Sequence, residues 1–252
     1  MALVSDRCIC LRKVEYSETS QVLTLLGRDR GLLRVIAKGA HRKTKAGASR
    51  FGGGLDLLDL GQAVFTDRVD RELATLTEWT LLDGHPALRR NLRALYLGFY
   101  AAELVGLLLE QHDPHPYVFE LLERLLDELG GPGAEEAFLR FELELLREAG
   151  YLPQLDACAS CGARLDGRQA YFAPSRGGVV CGNCEPSFPD RLSLDRRLLD
   201  LMHYVVRLAD EGGEPARRPK LTRQQTDPIN GVLAVHLQHT LGQRLRLVDY
   251  VV

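Results

Sequence analysis

Two cysteine pairs, each of the form Cys-x-x-Cys, constrain the fold of residues 154–187 more than any other feature of this sequence. Cys158 and Cys161 form the first pair, and Cys181 and Cys184 form the second after nineteen intervening residues. The surrounding segment is rich in glycine and proline and poor in apolar side chains, so it needs a crosslink to fold. Four thiolates at this spacing match the general pattern of tetrahedral zinc sites. The sequence therefore predicts one bound Zn²⁺ per chain.

The predicted role of this zinc is structural, because four sulfur ligands leave no open position for water or a substrate. Gly162 and Gly182 each follow a cysteine, and we expect them to let the backbone turn around the metal. Three other uses of the four cysteines stay open: two disulfides, a redox dithiol and an iron–sulfur cluster.

The beginning of the chain and its hydropathy favour a cytoplasmic protein without a membrane partner. No basic segment followed by an apolar core occurs near Met1, so no secretory signal is expected, and no apolar run reaches membrane-spanning length. Cytosolic thiols are kept reduced, which argues against disulfides. Cys8 and Cys10 share one face of a predicted strand, and we interpret them as small buried hydrophobic residues.

Residues 1–82 are predicted to form a five-stranded OB-type β-barrel. Apolar and polar residues alternate with period two, or β-branched residues are enriched, in five segments separated by glycine-rich turns. Five strands in about 75 residues suit the OB-fold, a Greek-key barrel, although a different five-stranded roll stays open. The predicted strands cover residues 7–14, 21–26, 32–38, 57–66 and 73–82.

After Pro86 the spacing of apolar residues becomes helical, and the leucine stripes are typical of a packed core. Helices are predicted at about 88–108, 116–129, 134–149, 193–208 and 229–241, with Ser193 as an N-cap. The predicted fold class is α+β and multidomain. It comprises an OB-type DNA-binding barrel at 1–82, an α-helical domain at 83–153 and 188–252, and a four-cysteine zinc ribbon inserted at 154–187.

Positive charge is concentrated in one region, although the net charge of the chain is −2. Between residues 28 and 50, eight basic residues are opposed by Asp29 alone. Alternation within the third predicted strand places Arg34 and Lys38 on one face and apolar residues on the other. A basic face on an OB-type barrel is typical of oligonucleotide binding, while a merely solvated surface stays open. The candidate DNA-binding residues are Arg28, Arg30, Arg34, Lys38, Arg42, Lys43, Lys45 and Arg50.

Aromatic residues are scarce beside this basic region, where Phe51 is the one candidate for stacking on bases. We therefore predict that binding depends on phosphate contacts, ignores base sequence and weakens steeply with salt. Trp79 is interpreted as a packing residue of the fifth strand.

Three segments of the chain resemble the RecO family of bacterial DNA repair proteins. They are LRKVEYSETS at 11–20 leading into LTLL at 23–26, GLLRVIAKGA at 31–40, and FELELLREAGYLP at 141–153 running into the first cysteine pair. The resemblance implies an N-terminal OB-fold, a helical domain and a zinc-binding insertion that some members lack. The basic face of the family corresponds by position to Arg34, Lys38 and Arg42.

The same resemblance implies a non-enzymatic recombination mediator associated with the nucleoid. Such a protein binds single- and double-stranded DNA and anneals complementary strands. Its implied protein partners are RecR, single-strand-binding protein and, indirectly, RecA, which it helps to load onto DNA.

Two other functions stay open from the residues alone. A zinc- or thiol-dependent enzyme is one, but no histidine lies in a His-x-Glu pattern and the sequence has no phosphate-binding loop or nucleophile elbow. A protein-interaction scaffold that uses the acidic region at 103–148 and the zinc ribbon is the other.

Overall fold

The computed structural model describes residues 2–18, 20–39, 51, 55–67, 73–165, 169–210 and 220–252. The chain forms two compact units, Met1–Pro132 and Gly133–Val252. The three predicted domain ranges stay a prediction about where the chain divides. Among the described residues, none of the helices combines the length and the apolar character needed to cross a membrane.

Five strands of the first unit form a closed barrel in the order β1-β2-β3-β5-β4, which fits the OB-fold and confirms the predicted fold class. Neighbouring strands are antiparallel except β3 and β5, which run parallel. The strands are β1 (Ala2–Ser17), β2 (Ser20–Gly27), β3 (Gly31–Lys38), β4 (Leu60–Asp67) and β5 (Ala74–Asp83).

The long strand β1 closes the barrel because its two halves have different partners. Residues 2–9 pair with β4, and residues 8–17 pair with β2. The register of the β1–β2 pair shifts between Cys10 and Arg12, which leaves Leu11 as the extra residue of a bulge. Side chains alternate across a strand, so an extra residue reverses which face the following residues occupy.

The interior of the barrel is filled by apolar side chains that include both N-terminal cysteines. Cys8 and Cys10 are fully buried, which confirms their interpretation as small core residues. Trp79 is also buried there, which confirms its packing role. Gly61 lies against the Trp79 ring, where a Cβ atom would come within 2.3 Å of Trp79 Cζ2.

The last elements of the first unit and the first element of the second are helices. The bounds of these helices lie close to the predicted ones. Helix α1 (Leu92–Leu108) begins after Asn91, whose side chain accepts hydrogen bonds from two backbone N–H groups of the first turn. Helix α2 (Pro116–Glu128) has proline in its first turn, where the missing N–H costs nothing. Helix α3 (Ala134–Glu148) opens the second unit and is buried around most of its circumference.

The second unit contains a three-stranded sheet in the order β7-β6-β8, followed by the remaining helices. The helix predicted from Ser193 is wrong at its start, because that residue belongs to β8 and pairs with β6. Asp195 caps the helix instead by accepting a hydrogen bond from the Arg197 N–H at 2.8 Å. The elements are β6 (Gln169–Ala173), β7 (Gly178–Val180), β8 (Leu192–Asp195), α4 (Arg196–Asp210), α5 (Arg223–Leu241) and α6 (Val248–Val251).

Candidate metal centre and nucleic-acid interface

The four cysteines predicted as zinc ligands lie together beside the β6–β7 hairpin. Their sulfur atoms are all within 4.8 Å of one another, and Cys161 Sγ lies 3.8 Å from Cys181 Sγ. Two sulfurs bound at about 2.3 Å to a tetrahedral ion are about 3.8 Å apart. All six cysteines are free thiols, including these four. The cluster Cys158, Cys161, Cys181 and Cys184 therefore fits a tetrahedral metal ion and is consistent with a zinc ribbon.

Each cysteine pair lies in a tight turn, and the first turn requires the glycine that follows Cys161. Gly162 has a φ of +73° and donates its N–H to the Cys158 carbonyl at 2.8 Å. That left-handed conformation favours glycine. Gly182 is not among the glycines with positive φ, so the second turn does not require a left-handed residue. The second turn is closed instead by the Cys184 N–H, which donates to the Cys181 carbonyl at 3.0 Å.

The environment of Cys158 favours the thiolate that a metal requires. Its burial opposes ionisation, but backbone N–H groups, including that of Cys181 at 3.3 Å, donate to the sulfur and lower the pKa of the thiol to about 6. Cys158 would therefore release no proton when a cation binds. Cys184 would release one, because its hydrogen bond with Cys161 raises the pKa of its thiol to about 12.

The apolar core around the cluster is small. Cys158, Ala173 and Val180 are its buried members, and partly buried side chains such as Tyr171 and Phe188 pack against them. A core of this size contributes little hydrophobic stabilisation, which agrees with a segment that depends on a crosslink.

The predicted basic face of β3 is present in the barrel. Leu33, Val35 and Ala37 are buried in the interior, whereas Arg34 and Lys38 are exposed on the outside. The alternation read from the sequence is thus confirmed for this strand.

Strand pairing extends this outer surface across three strands. The registers place Arg12 opposite Thr24 and Thr24 opposite Arg34, so the two arginines share one row. Residues directly opposite each other in antiparallel strands project from the same face. None of the residues in the three outer rows is buried, and none is acidic. We call this surface the cationic face; it consists of Arg12, Val14, Ser17, Ser20, Val22, Thr24, Arg34, Ile36 and Lys38.

Arg12 was missed by sequence reasoning because strict alternation from Cys8 and Cys10 would direct it into the barrel. The bulge at Leu11 reverses the phase, so Arg12 emerges on the outside. A basic residue at a core position in an otherwise apolar strand is the signal that could have revealed the bulge.

Arg28 and Arg30, the first two candidate DNA-binding residues, lie at the β2–β3 turn rather than on the cationic face. Arg28 donates to Glu120 of α2 at 2.7 Å and to Asp29 at 3.2 Å. These two carboxylates offset its charge and raise the pKa of the guanidinium. Arg30 is exposed. The candidates Arg42, Lys43, Lys45 and Arg50 lie outside the described residues.

The aromatic side chains of the barrel are placed differently from the sequence expectation. Phe51 is buried in the barrel core, so its ring is not offered to bases. Tyr16 is 69% exposed and lies beside the Ser17–Ser20 pair, where Ser20 is in register with Lys38. A large aromatic ring is therefore exposed next to the row of the cationic face that contains Ser17, Ser20 and Lys38.

Comparison with known proteins agrees with this architecture. A family model described as the recombination protein O N terminus matches residues 1–85, and one described as its C terminus matches residues 89–247. A DNA repair protein RecO from Anaeromyxobacter sp. (strain K) is 37% identical over 238 residues, which cover 94% of this chain and 91% of that protein. The RecO protein of Myxococcus xanthus is 32% identical over 251 residues, covering 99% and 97%. The chain belongs to the RecO family of DNA repair proteins.

Proposed function

We propose that this protein is a non-enzymatic recombination mediator that binds single- and double-stranded DNA through the cationic face. The observation that carries the proposal is the exposure of Arg12, Arg34 and Lys38 on one face of the barrel, whose three paired rows contain no acidic residue. The candidates Arg42, Lys43, Lys45 and Arg50, which come after β3 in the sequence, stay predicted DNA-binding residues. Membership of a DNA repair family supports this reading.

The arrangement favours contacts with the DNA backbone over recognition of bases. Arg34 and Lys38 are four residues apart, which is about 13 Å along a strand, so they would meet different phosphates of one strand. Phosphate contacts carry no sequence information directly. The protein would therefore bind many sequences, as a repair mediator requires.

Annealing follows from the same chemistry. Two complementary strands repel each other through their phosphates, and a cationic surface that neutralises this charge lowers the barrier to pairing. No covalent step is needed, so the proposed role requires no catalytic residue.

The cofactor in this proposal is one structural Zn²⁺ held by Cys158, Cys161, Cys181 and Cys184. When bound, the ion would crosslink the two cysteine turns and supply folding energy to the ribbon. The four sulfur ligands would fill its coordination shell, which supports a structural role.

The proposed partners are DNA, RecR and single-strand-binding protein, with RecA assisted indirectly. In this role the protein works in the cytoplasm at the nucleoid. The resemblance to RecO proteins supports these assignments.

A strand-annealing assay tests the proposal. The double variant Arg34→Glu/Lys38→Glu should slow annealing of complementary oligonucleotides at least about tenfold, because each reversal replaces an attraction to phosphate with a repulsion. The matched control is Arg197→Glu/Arg207→Glu, which makes the same charge change at exposed positions of α4.

The control should anneal at the wild-type rate. Equal rates for both double variants would contradict the proposal, as would turnover of a nucleotide or thiol substrate by the wild-type protein.

A further inference from the structure

We propose that Asp83, His85 and Asp127 form a second cation site, in the first unit, for a transition-metal ion of the Zn²⁺ class. Asp83 ends β5, His85 follows it, and Asp127 lies in α2, so two separate segments converge here. One donor atom from each residue lies within 4.8 Å of the other two. This inference does not depend on the proposed DNA-binding function.

The distances match those between ligands of one small cation. His85 Nδ1 lies 3.4 Å from Asp127 Oδ1 and 4.0 Å from Asp83 Oδ1. Nitrogen and oxygen ligands bound at about 2.0–2.2 Å to a tetrahedral zinc ion are about 3.4 Å apart. Small side-chain adjustments would bring all three atoms onto one ion.

His85 is the buried member of the cluster, with a side chain that is only 3% exposed. Its Nδ1 faces the two exposed carboxylates. A cation between the three residues would give this nitrogen a ligand bond and would lie at the solvent-accessible edge of the buried ring.

The position of Asp127 adds an electrostatic argument. It lies in the last turn of α2, where the helix dipole disfavours negative charge, and that turn contains no basic residue. A bound cation would compensate both the carboxylate and the C-terminal end of the helix.

The donor set indicates the class of ion. One imidazole and two carboxylates suit zinc, cobalt, nickel or manganese, and the exposed carboxylates leave room for water to complete the shell. The bound ion would join the end of β5 to α2. Its chemistry differs from that of the four-cysteine cluster, which allows the two sites to be measured separately.

Isothermal titration of Zn²⁺ into the full-length chain tests the site, using protein whose cysteine cluster is already loaded with Zn²⁺ and freed of excess metal. The wild type should bind one further equivalent. Asp127→Asn should weaken that binding at least about tenfold, because a charged ligand is lost. Glu110→Gln is the matched control, since it removes an exposed carboxylate of the same unit outside the cluster and should bind like the wild type.

Co²⁺ titration identifies the ligands, because cobalt bound to nitrogen and oxygen lacks the intense near-ultraviolet absorption of cobalt thiolate. If thermal melting of the metal-free protein shows that Asp127→Asn does not fold, Asp83→Asn is used in its place. The proposal is overturned if the wild type binds no further equivalent, if both Asn variants bind it with wild-type affinity, or if the added cobalt shows thiolate absorption.

Discussion

Gly61 and Trp79 form a very tight fit in the barrel core. The indole ring occupies the space that a side chain at position 61 would need. Interiors are close-packed, so even one added methyl group must displace its neighbours.

We predict that Gly61→Ala destabilises the protein by about 1–3 kcal/mol, because the new Cβ would overlap the Trp79 ring. Gly106→Ala is the control, since a Cβ added at Gly106 in α1 would meet no neighbouring side chain of the described residues within 4 Å. This control should gain about 0.5–1 kcal/mol from helix propensity. Urea unfolding measures both changes. Equal effects of the two substitutions would contradict the packing argument.

Tyr16 is predicted to stack on bases of single-stranded DNA. Tyr16→Ala should reduce the binding free energy by about 1–3 kcal/mol while leaving thermal stability unchanged, because the ring is exposed. Fluorescence anisotropy with a labelled oligonucleotide gives the affinity. Tyr250→Ala, which removes another exposed ring in the second unit, is the control and should bind DNA normally. A Tyr16→Ala affinity equal to that of the control would show that stacking is absent.

The positions of some single residues can be predicted from the local sequence pattern, whereas those of others depend on contacts formed in the folded chain. Arg34 and Lys38 could be placed because uninterrupted alternation decides their face. Arg12 could not, since a bulge changes the phase. The pairing of Arg28 with Glu120 joins residues far apart in the sequence, and no local pattern reports such a contact.

Among the single elements, helix α3 is unusual because several of its ionisable side chains are buried. Arg140 lies between Glu136 and Glu144 on one side of the helix and forms ion pairs with both. Glu142 is fully buried, and neither carboxylate oxygen has a hydrogen-bond partner within the described residues. Burial raises the pKa of Glu142 to about 8, so this carboxyl group is protonated at neutral pH.

The raised pKa of Glu142 predicts a pH-dependent stability. The folded state holds a proton that the unfolded state releases near pH 4.5, so the contribution of Glu142 to stability is most favourable below that pH and becomes less favourable until about pH 8. Glu142→Gln should remove this loss and be more stable at pH 8, by an amount on the order of a few kcal/mol. Glu148→Gln, at the exposed end of α3, is the control. Parallel stability–pH curves for wild type and Glu142→Gln would contradict the prediction.

The folded structure of the zinc ribbon should depend on the bound metal, whereas that of the barrel should not. Removing the metal with a chelator is expected to increase amide hydrogen exchange in β6 and β7, because metal binding supplies much of their folding energy. Exchange in β2 and β3 should stay unchanged. The variant Cys161→Ser should exchange rapidly with or without chelator. Unaltered exchange of β6 and β7 in the chelated wild type would contradict the structural role of the metal.

Element boundaries were predictable where local signals act alone. Pro116 and the Gly-Gly-Pro run at 130–132 marked the ends of α2, and the structure agrees. Ser193 is an N-cap residue by type, yet pairing with β6 holds it in a strand, which local sequence does not reveal. Helix α5 begins at Arg223, six residues before the predicted start, after the Thr222–Gln225 capping box, and it continues through Pro228.

At the scale of the whole molecule, the two units carry different features. Met1–Pro132 holds the barrel with its cationic face and the Asp83–His85–Asp127 cluster, and Gly133–Val252 holds the four-cysteine cluster. The fold class was predictable because strand and helix periodicities occupy separate stretches of the chain. The Asp83–His85–Asp127 cluster was not, since its members come from different elements.

The salt dependence of single-stranded DNA binding tests the central claim most directly. Each phosphate contact contributes about 0.7 to the slope of log affinity against log salt. The triple variant Arg12→Ala/Arg34→Ala/Lys38→Ala loses three contacts, so we predict a slope shallower by about 2 together with weaker binding at every salt concentration. A triple variant with the slope and affinity of the wild type, or wild-type binding that ignores salt, would contradict the assignment of the cationic face to DNA.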